Sequence, residues 1–386
     1  MIKNKFDSIV IHYDEIGLKG KNRGHFERLL INNIKKKTGK LVKSIKREVG
    51  QITLTIDGEN YSKLKDILSK IPGIAYFSFA KKASLDFKKL KKEVIDFLKE
   101  TTFSTFKVDT HRHDKQYKLN SMKINELLGE AIINAYNKKV KLTNPDLILK
   151  IEISHKTTYI SYESIEGVGG LPTNPNQKVV ALLSGGFDSP VASYLMMKRG
   201  CQVILVHFQN KNQATSAVEN KIIELSKQLS KFQTKTLLYI IPFEKLQKEI
   251  IKKTKAETRM VIYRRFMLRI ASKIAEANKA KFLVVGDSLS QVASQTIENL
   301  NATYHASNKN IFSPLIGLNK REIIDIAKKI ETYNISAQPY PDCCTYFLPK
   351  HPILKSDINT LKKIESGFDI KTLVENAIKN EEIKKF

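Results

Sequence analysis

Between the apolar run VVALL and the helix-forming run VASYLMMKR, the chain carries Ser184-Gly185-Gly186-Phe187-Asp188-Ser189-Pro190. A continuous apolar run bounded in this way suits a strand covered on both faces by helices. Paired glycines let the backbone turn tightly, so that successive N–H groups converge on phosphate oxygens. Pro190 suits a first helical turn, where no backbone donor is needed. The helix N-terminus then adds the positive end of its dipole to the anion site. Asp188 is placed to hold Mg²⁺ or orient phosphates, and Ser184 and Ser189 to donate hydroxyl bonds. No Gly-Lys-Ser/Thr follows, which excludes the lysine-containing phosphate loop.

From Val179 onward four short apolar runs, VVALLS, QVILVHF, TLLYIIPF and KFLVVGDS, alternate with helix-length polar stretches. The alternation predicts an α/β fold with a doubly wound parallel sheet over 179–386. Ligands of such sheets bind outside the carboxyl ends of the strands. Those ends carry His207-Phe208, Pro242-Phe243 and Gly286-Asp287-Ser288. Phe208 offers a stacking face there, and Gly286 permits close approach of a purine. Singly, each is ordinary loop chemistry; their shared location raises them together.

The chain before this unit reads differently. A strand over 7–13, a polar loop, an amphipathic helix (HFERLLINNIKKKTG), two strands and a second helix form a β-α-β-β-α order. That order predicts a small ferredoxin-like α+β unit over 1–73, closed by Pro72-Gly73. A second α+β unit is expected over 74–165. The Gly-, Pro- and Asn-rich segment 166–178 reads as a linker.

Charge points to a polyanionic partner. Of 386 residues, 66 are Lys or Arg and 39 Asp or Glu, a net of +27. Residues 1–170 hold 33 basic and 20 acidic residues, leaving 33 and 19 for the remainder, so the excess is no local tail. Part of it reads as a Lys/Ile/Asn compositional bias; the rest fits nucleic acid. Lys19, Lys21 and Arg23 at a helix start, and Lys107, Arg112 and Lys115 in FKVDTHRHDK, are candidates to grip nucleic-acid phosphates without reading bases. A solvated charged face is the bland alternative for each.

Three cysteines, two of them adjacent, exclude a disulfide scaffold. Cys344, in the proline-rich PYPDCCT, is a candidate reactive thiol; Cys343 beside it has no CxxC partner to suggest zinc. Cys201 heads an apolar strand and is expected to pack. The start lacks a signal-peptide pattern and no apolar run spans a membrane, so a cytoplasmic location without membrane association is expected.

The phosphate loop resembles that of the ATP pyrophosphatases, which split ATP into AMP and pyrophosphate. Over nearly the whole length the chain is similar to the tRNA 4-thiouridine synthases (tRNA sulfurtransferases), a family also linked to thiamine thiazole biosynthesis. The resemblance is carried by EIGLKGKNRGHFE, FKVDTHRHDKQY, NSMKINELLG, GVGGLP, LLSGGFDSPVASYLMMKRG, VVGDSLSQVASQTIENL, LNKREI and PDCCTYFLPKHP. It implies a THUMP RNA-binding domain over 74–165 that docks the tRNA acceptor end, and a PP-loop domain over 179–386. It implies ATP contacts at Leu182, Leu183, His207, Phe208, Arg264, Gly286 and Gln295, beside Ser184, Gly185, Gly186 and Ser189 of the loop. Asp188 and Lys320 match residues needed for activation, and Cys344 the sulfur-carrying cysteine.

What the resemblance implies chemically is adenylation of uridine 8 of tRNA by Mg-ATP, followed by sulfur delivery from a persulfide on Cys344. Some relatives append a rhodanese domain; this chain ends at Phe386 without one, so a separate persulfide donor, a cysteine desulfurase, is expected. Family members are often homodimers. Asn174 and Gln177 stand where relatives usually carry glycines, which suggests a somewhat different path before the loop. Two rivals stay open on the residues alone: another PP-loop enzyme, such as a lysidine-forming ligase or amidotransferase-type synthetase, and a non-catalytic tRNA-binding factor. An iron–sulfur variant on Cys343 and Cys344 lacks an evident third ligand.

Overall fold

The first β-α-β-β-α run folds as its periodicity predicts. Its elements are β1 (Ser8–His12), α1 (Arg23–Thr38), β2 (Val42–Glu48), β3 (Gln51–Ile56) and α2 (Tyr61–Leu68). The computed structural model describes residues 6–210, 216–339 and 353–386. Its chain divides into two compact units, 1–172 and 173–386. The polar loop ahead of α1 is a run of 3-10 turns, Glu15–Asn22, opened by the Asp14 carboxylate accepting from the Glu15 N–H at 2.6 Å.

Strand β4 (Tyr76–Ala83) joins what the sequence separates. Its first half pairs antiparallel with β1, Phe79 lying opposite Ile9, while Lys81–Ala83 pair with β8 (Thr158–Ser161). Between them run α3 (Phe87–Leu98), β5 (Thr105–Arg112), α4 (Ser121–Tyr136), β6 (Lys139–Val140) and β7 (Leu147–Ile153); β9 (Ile165–Glu166) follows β8. One sheet, in the order β2-β3-β1-β4-β8-β7-β5-β6 with β9 on β4, therefore serves both α+β segments. Helix α3 shows why the packing holds: Leu90, Val94 and Phe97 recur at helical spacing and are all buried. Each such side chain contributes about 1.5–3 kcal/mol.

The segment read as a linker is mostly extended. Gly167 is packed so closely that a Cβ there would lie 2.2 Å from the Ile74 carbonyl oxygen. Strand β10 (Leu171–Leu182) then runs through Pro172, Asn174 and Pro175 into the apolar VVAL. Prolines are tolerated where the strand edge needs no donor.

In the second unit β10, β11 (Arg199–Gln209), β12 (Leu237–Pro242), β13 (Phe282–Val284), β14 (Asn310–Phe312) and β15 (Glu382–Lys385) form a sheet ordered β14-β13-β10-β11-β12-β15. The pairs β10–β13, β11–β12 and β13–β14 are parallel, and β15 closes one edge antiparallel to β12. The two outer strands, NIF and EIKK, are too short for their periodicity to mark them. Intervening and following helices are α5 (Asp188–Lys198), α6 (Ser216–Ser230), α7 (Glu244–Lys253), α8 (Arg259–Ala277), α9 (Ile297–Tyr304), α10 (Lys320–Lys329), α11 (Tyr333–Ser336), α12 (Ile358–Glu365) and α13 (Ile370–Lys379). Helix α8 carries the core, burying Ile262, Phe266, Ile270 and Ile274 against Val180, Ile204 and Ile241 of the sheet. Among the described residues no helix is long and apolar enough to cross a membrane.

Candidate active site

The loop between β10 and α5 is closed by its own serines. The Ser184 N–H donates to Ser189 Oγ at 2.8 Å, the two hydroxyl oxygens lie 3.1 Å apart, and the Gly186 N–H reaches Ser184 Oγ at 3.4 Å. Both hydroxyls thus shape the loop itself, where the sequence suggested phosphate donors. Neither Gly185 nor Gly186 has positive φ. What they provide is a bare backbone at the start of α5, where unpaired helix N–H groups favour an anion.

Gly286 is constrained by the chain's own packing at the end of β13. A Cβ on it would lie 2.8 Å from the Ser189 backbone N and 3.0 Å from the Asp188 carbonyl carbon. Glycine here admits the close approach of the phosphate loop to the strand end, at a position that also lines the cavity. Phe208 is 5% exposed; its ring meets Phe243 edge-on at 5.3 Å and lines the same cavity.

A cavity of about 250 Å³ opens at the carboxyl ends of β10, β11 and β13. Its walls include Leu182, Leu183, Ser184, Asp188, Ser189, His207, Phe208, Arg264, Gly286 and Gln295. The strands bring these residues from positions up to 113 apart in sequence, between Leu182 and Gln295. Gly185 and Gly186 belong to the same loop, and Lys320 is joined to it through Asp188. Helix α8 adds Met260, Arg264 and Met267, spaced to share one face. Buried His207 donates Nδ1–H to the Leu183 carbonyl at 2.9 Å; a carbonyl only accepts, which fixes that tautomer.

Charge is held in two pairs. Asp188 Oδ1 accepts from Lys320 Nζ at 2.6 Å and its Oδ2 from Gln291 Nε2 at 2.9 Å. Lys320 begins α10, whose Asn319–Glu322 capping box fixes the helix start, and its ammonium lies 5.5 Å from the Phe187 ring centroid. Arg264 donates to Asp287 Oδ2 at 2.5 Å and to the Ser294 carbonyl at 2.9 Å. Asp287 also accepts from Tyr304 Oη at 2.8 Å. Burial, and then that carboxylate, push the Tyr304 phenol well above its ordinary range.

Sequence reasoning missed Gln291 and Tyr304 as parts of this site. Asp287 was visible in the Gly-Asp-Ser strand end, and a polar residue following such a strand was the available signal. Cys343 and Cys344 lie outside the described residues. Cys201 is half-buried at the head of β11, and burial raises its thiol pKa, which disfavours the thiolate.

The first unit holds a larger cavity, about 840 Å³, lined by Arg23, Lys46, Arg47, His113, His155 and Lys156. Glu27, 1% exposed, accepts on Oε1 from Arg23 Nε at 3.0 Å and from the Tyr13 hydroxyl, and its Oε2 forms an ion pair with Arg47 Nε at 2.6 Å. One buried carboxylate therefore aligns two guanidinium groups at the wall. Of the other expected RNA contacts, Arg112 donates to the carbonyls of Tyr117 and Leu119 and shapes its own loop. Lys19 stands 5.3 Å from the Phe26 ring centroid. Lys21 and Lys115 are exposed, and Lys107 is half-buried on β5.

Comparison with known proteins adds a second line. Residues 175–370 match the family described as thiamine biosynthesis protein (ThiI), 8–78 the ThiI ferredoxin-like domain and 85–163 the THUMP domain. A probable tRNA sulfurtransferase of Caldanaerobacter subterraneus subsp. tengcongensis is 41% identical over 373 residues, covering 96% of this chain and 97% of that one. One from Brevibacillus brevis is 36% identical over 383 residues, covering 98% and 96%. Among solved structures, a 4-thiouridine synthetase–RNA complex with bound ATP matches with a TM-score of 0.89 at 36% identity, over 99% of this chain and 100% of that one.

Proposed function

The chain belongs to the tRNA sulfurtransferase (ThiI) family, and from that premise we propose that it uses ATP to convert uridine 8 of tRNA to 4-thiouridine. The observation that carries the reading is the convergence of the phosphate loop, Arg264 and the Lys320–Asp188 pair on one cavity at the strand ends.

C4 of uridine is a poor electrophile, and its oxygen is a poor leaving group. Attack of that oxygen on the α-phosphorus of ATP forms an O4–Pα bond, giving a C4–O–AMP adenylate, and breaks the bond from Pα to the departing pyrophosphate. The amides at the start of α5, Lys320 and Arg264 stabilise the charge that gathers on the phosphates. Asp188 is the carboxylate suited to Mg²⁺, which is usually held by one or two carboxylates together with substrate phosphates and would neutralise the departing diphosphate. A persulfide on Cys344 then attacks C4 through its terminal sulfur and expels AMP. A second thiol attacks Cys344 Sγ, forming a disulfide with it and releasing 4-thiouridine. The persulfide comes from a separate donor of the cysteine desulfurase class.

Position 8 must leave its stack to reach such a cavity, as bases do for other modifying enzymes. In the first unit, Arg23 and Arg47, held by Glu27, supply a grip on RNA phosphates that reads no base. Reconstitution with unmodified tRNA, Mg-ATP and a cysteine desulfurase tests the proposal. Near-ultraviolet absorbance of 4-thiouridine is expected with the unsubstituted chain. With Cys344→Ser, pyrophosphate release should persist and no thiouridine appear; undiminished thiolation by that variant excludes Cys344 as carrier.

A further inference from the structure

Asp287 does more in this cavity than pair with Arg264. It is 5% exposed and accepts on both oxygens: Oδ2 from Arg264 at 2.5 Å and from Tyr304 at 2.8 Å, Oδ1 from Gln295 Nε2 at 3.1 Å. Beside a guanidinium its carboxylate offers acceptors only, so the Gln295 atom facing it must be the NH₂ group. The amide is planar, and its other end is thereby committed to being an acceptor. Gln295 is 8% exposed, and its Oε1 is buried without a hydrogen-bond partner among the described residues. A buried carbonyl left unpaired loses its hydration without compensation. The cavity this side chain lines therefore favours an occupant that brings a donor.

We infer that Asp287 is a specificity-determining positioning residue, which orients Gln295 so that the nucleotide must present a hydrogen-bond donor, an amine or a hydroxyl, to Gln295 Oε1. The inference rests on the reading of this cavity as the ATP site. Two groups of ATP have that chemistry: the exocyclic amine of the base and the ribose hydroxyls. Without Asp287 the Gln295 amide is free to rotate by half a turn and present either end, and the selection disappears.

Equilibrium binding to the full chain tests this, with ATP and three triphosphates that each lack one donor. Inosine 5′-triphosphate lacks the amine; 2′-deoxyATP and 3′-deoxyATP each lack a hydroxyl. The unsubstituted chain is expected to bind one of the three at least about tenfold more weakly than ATP, because the analogue leaves a buried acceptor unpaired. The identity of that analogue names the donor.

In Asp287→Asn, whose amide can meet either end of Gln295, the ratio is expected to fall to within about twofold. All four affinities fall together as Arg264 loses its charged partner. A purely structural role for Asp287 would lower the four affinities and leave the ratio where it was. That result overturns the inference, as does equal binding of all four by the unsubstituted chain. Should Asp287→Asn fail to fold or to bind measurably, Gln295→Met keeps the length, removes the acceptor and gives the same readout; a retained ratio again overturns it. Failure of the unsubstituted chain to bind ATP overturns the ATP-site reading itself. The two failures are distinct because neither RNA nor a sulfur donor enters the assay.

Discussion

Replacing Gly286 by alanine adds one methyl group at the place where the phosphate loop crosses the end of β13. The new carbon would sit 2.8 Å from the Ser189 backbone N and 3.0 Å from both the Asp188 carbonyl carbon and Ser189 Cα. Ordinary contact begins near 3.4 Å, so the first turn of α5 must retreat by about 0.6 Å. All three obstacles are backbone atoms, and no rotamer change relieves them. Overpacking of this kind costs about 1–3 kcal/mol. In a unit of this size 2 kcal/mol lowers Tm by roughly 4–8 °C. The larger effect falls on catalysis, because the displaced turn carries Asp188 and the amides proposed to face the phosphates. A misplacement approaching 1 Å costs on the order of 100-fold in rate.

Pyrophosphate release with saturating ATP and tRNA, measured beside a thermal melt, separates the two effects. The expected outcome is a fall in kcat of tens- to a hundredfold with most of the protein still folded at the assay temperature. Gly286→Ala with unaltered kcat and Tm would refute the steric argument. A variant that keeps Tm but loses only purine affinity would favour the purine contact that the sequence suggested over the steric role.

Glu365 is expected to be a stability residue remote from the chemistry. Its buried carboxylate accepts from Arg265 at 2.8 and 2.6 Å and from Arg269 at 2.6 and 2.7 Å, tying α12 to α8. Glu365→Ala leaves the Arg265 guanidinium, 1% exposed, without its carboxylate, at a cost of about 3–5 kcal/mol; a loss below 1 kcal/mol in urea unfolding contradicts this. Glu152 gives a pH test in the first unit. Burial opposes its charge, yet the imidazoles of His113 and His12 hold the carboxyl down to about 2. A folded value below the unfolded one, near 4.5, gives stability that is fully present above pH 4.5 and is lost as pH falls toward 2. Acid unfolding of Glu152→Gln should lack that component, and superimposable acid titrations of the two proteins would count against it.

Local chemistry was enough to locate the phosphate loop, since strand, turn and helix start are neighbours in the chain and their residue types report backbone requirements directly. The ferredoxin-like order, the alternating α/β pattern and helix α8 were legible for the same reason: burial repeats at the period of the element. Tertiary structure alone decided who meets whom across the sheet. Strand β4 has one pattern but two sets of partners, and the short edges β14 and β15 have almost no pattern. Gln291 reaches Asp188 across 103 positions and Tyr304 reaches Asp287 across 17. Gly286 looked like room for a ligand, and only the fold shows that it also makes room for the chain's own backbone. A sequence records each residue's preference for water, apolar surroundings or a turn, whereas a hydrogen bond or a close contact depends on two positions whose separation only the folded chain sets.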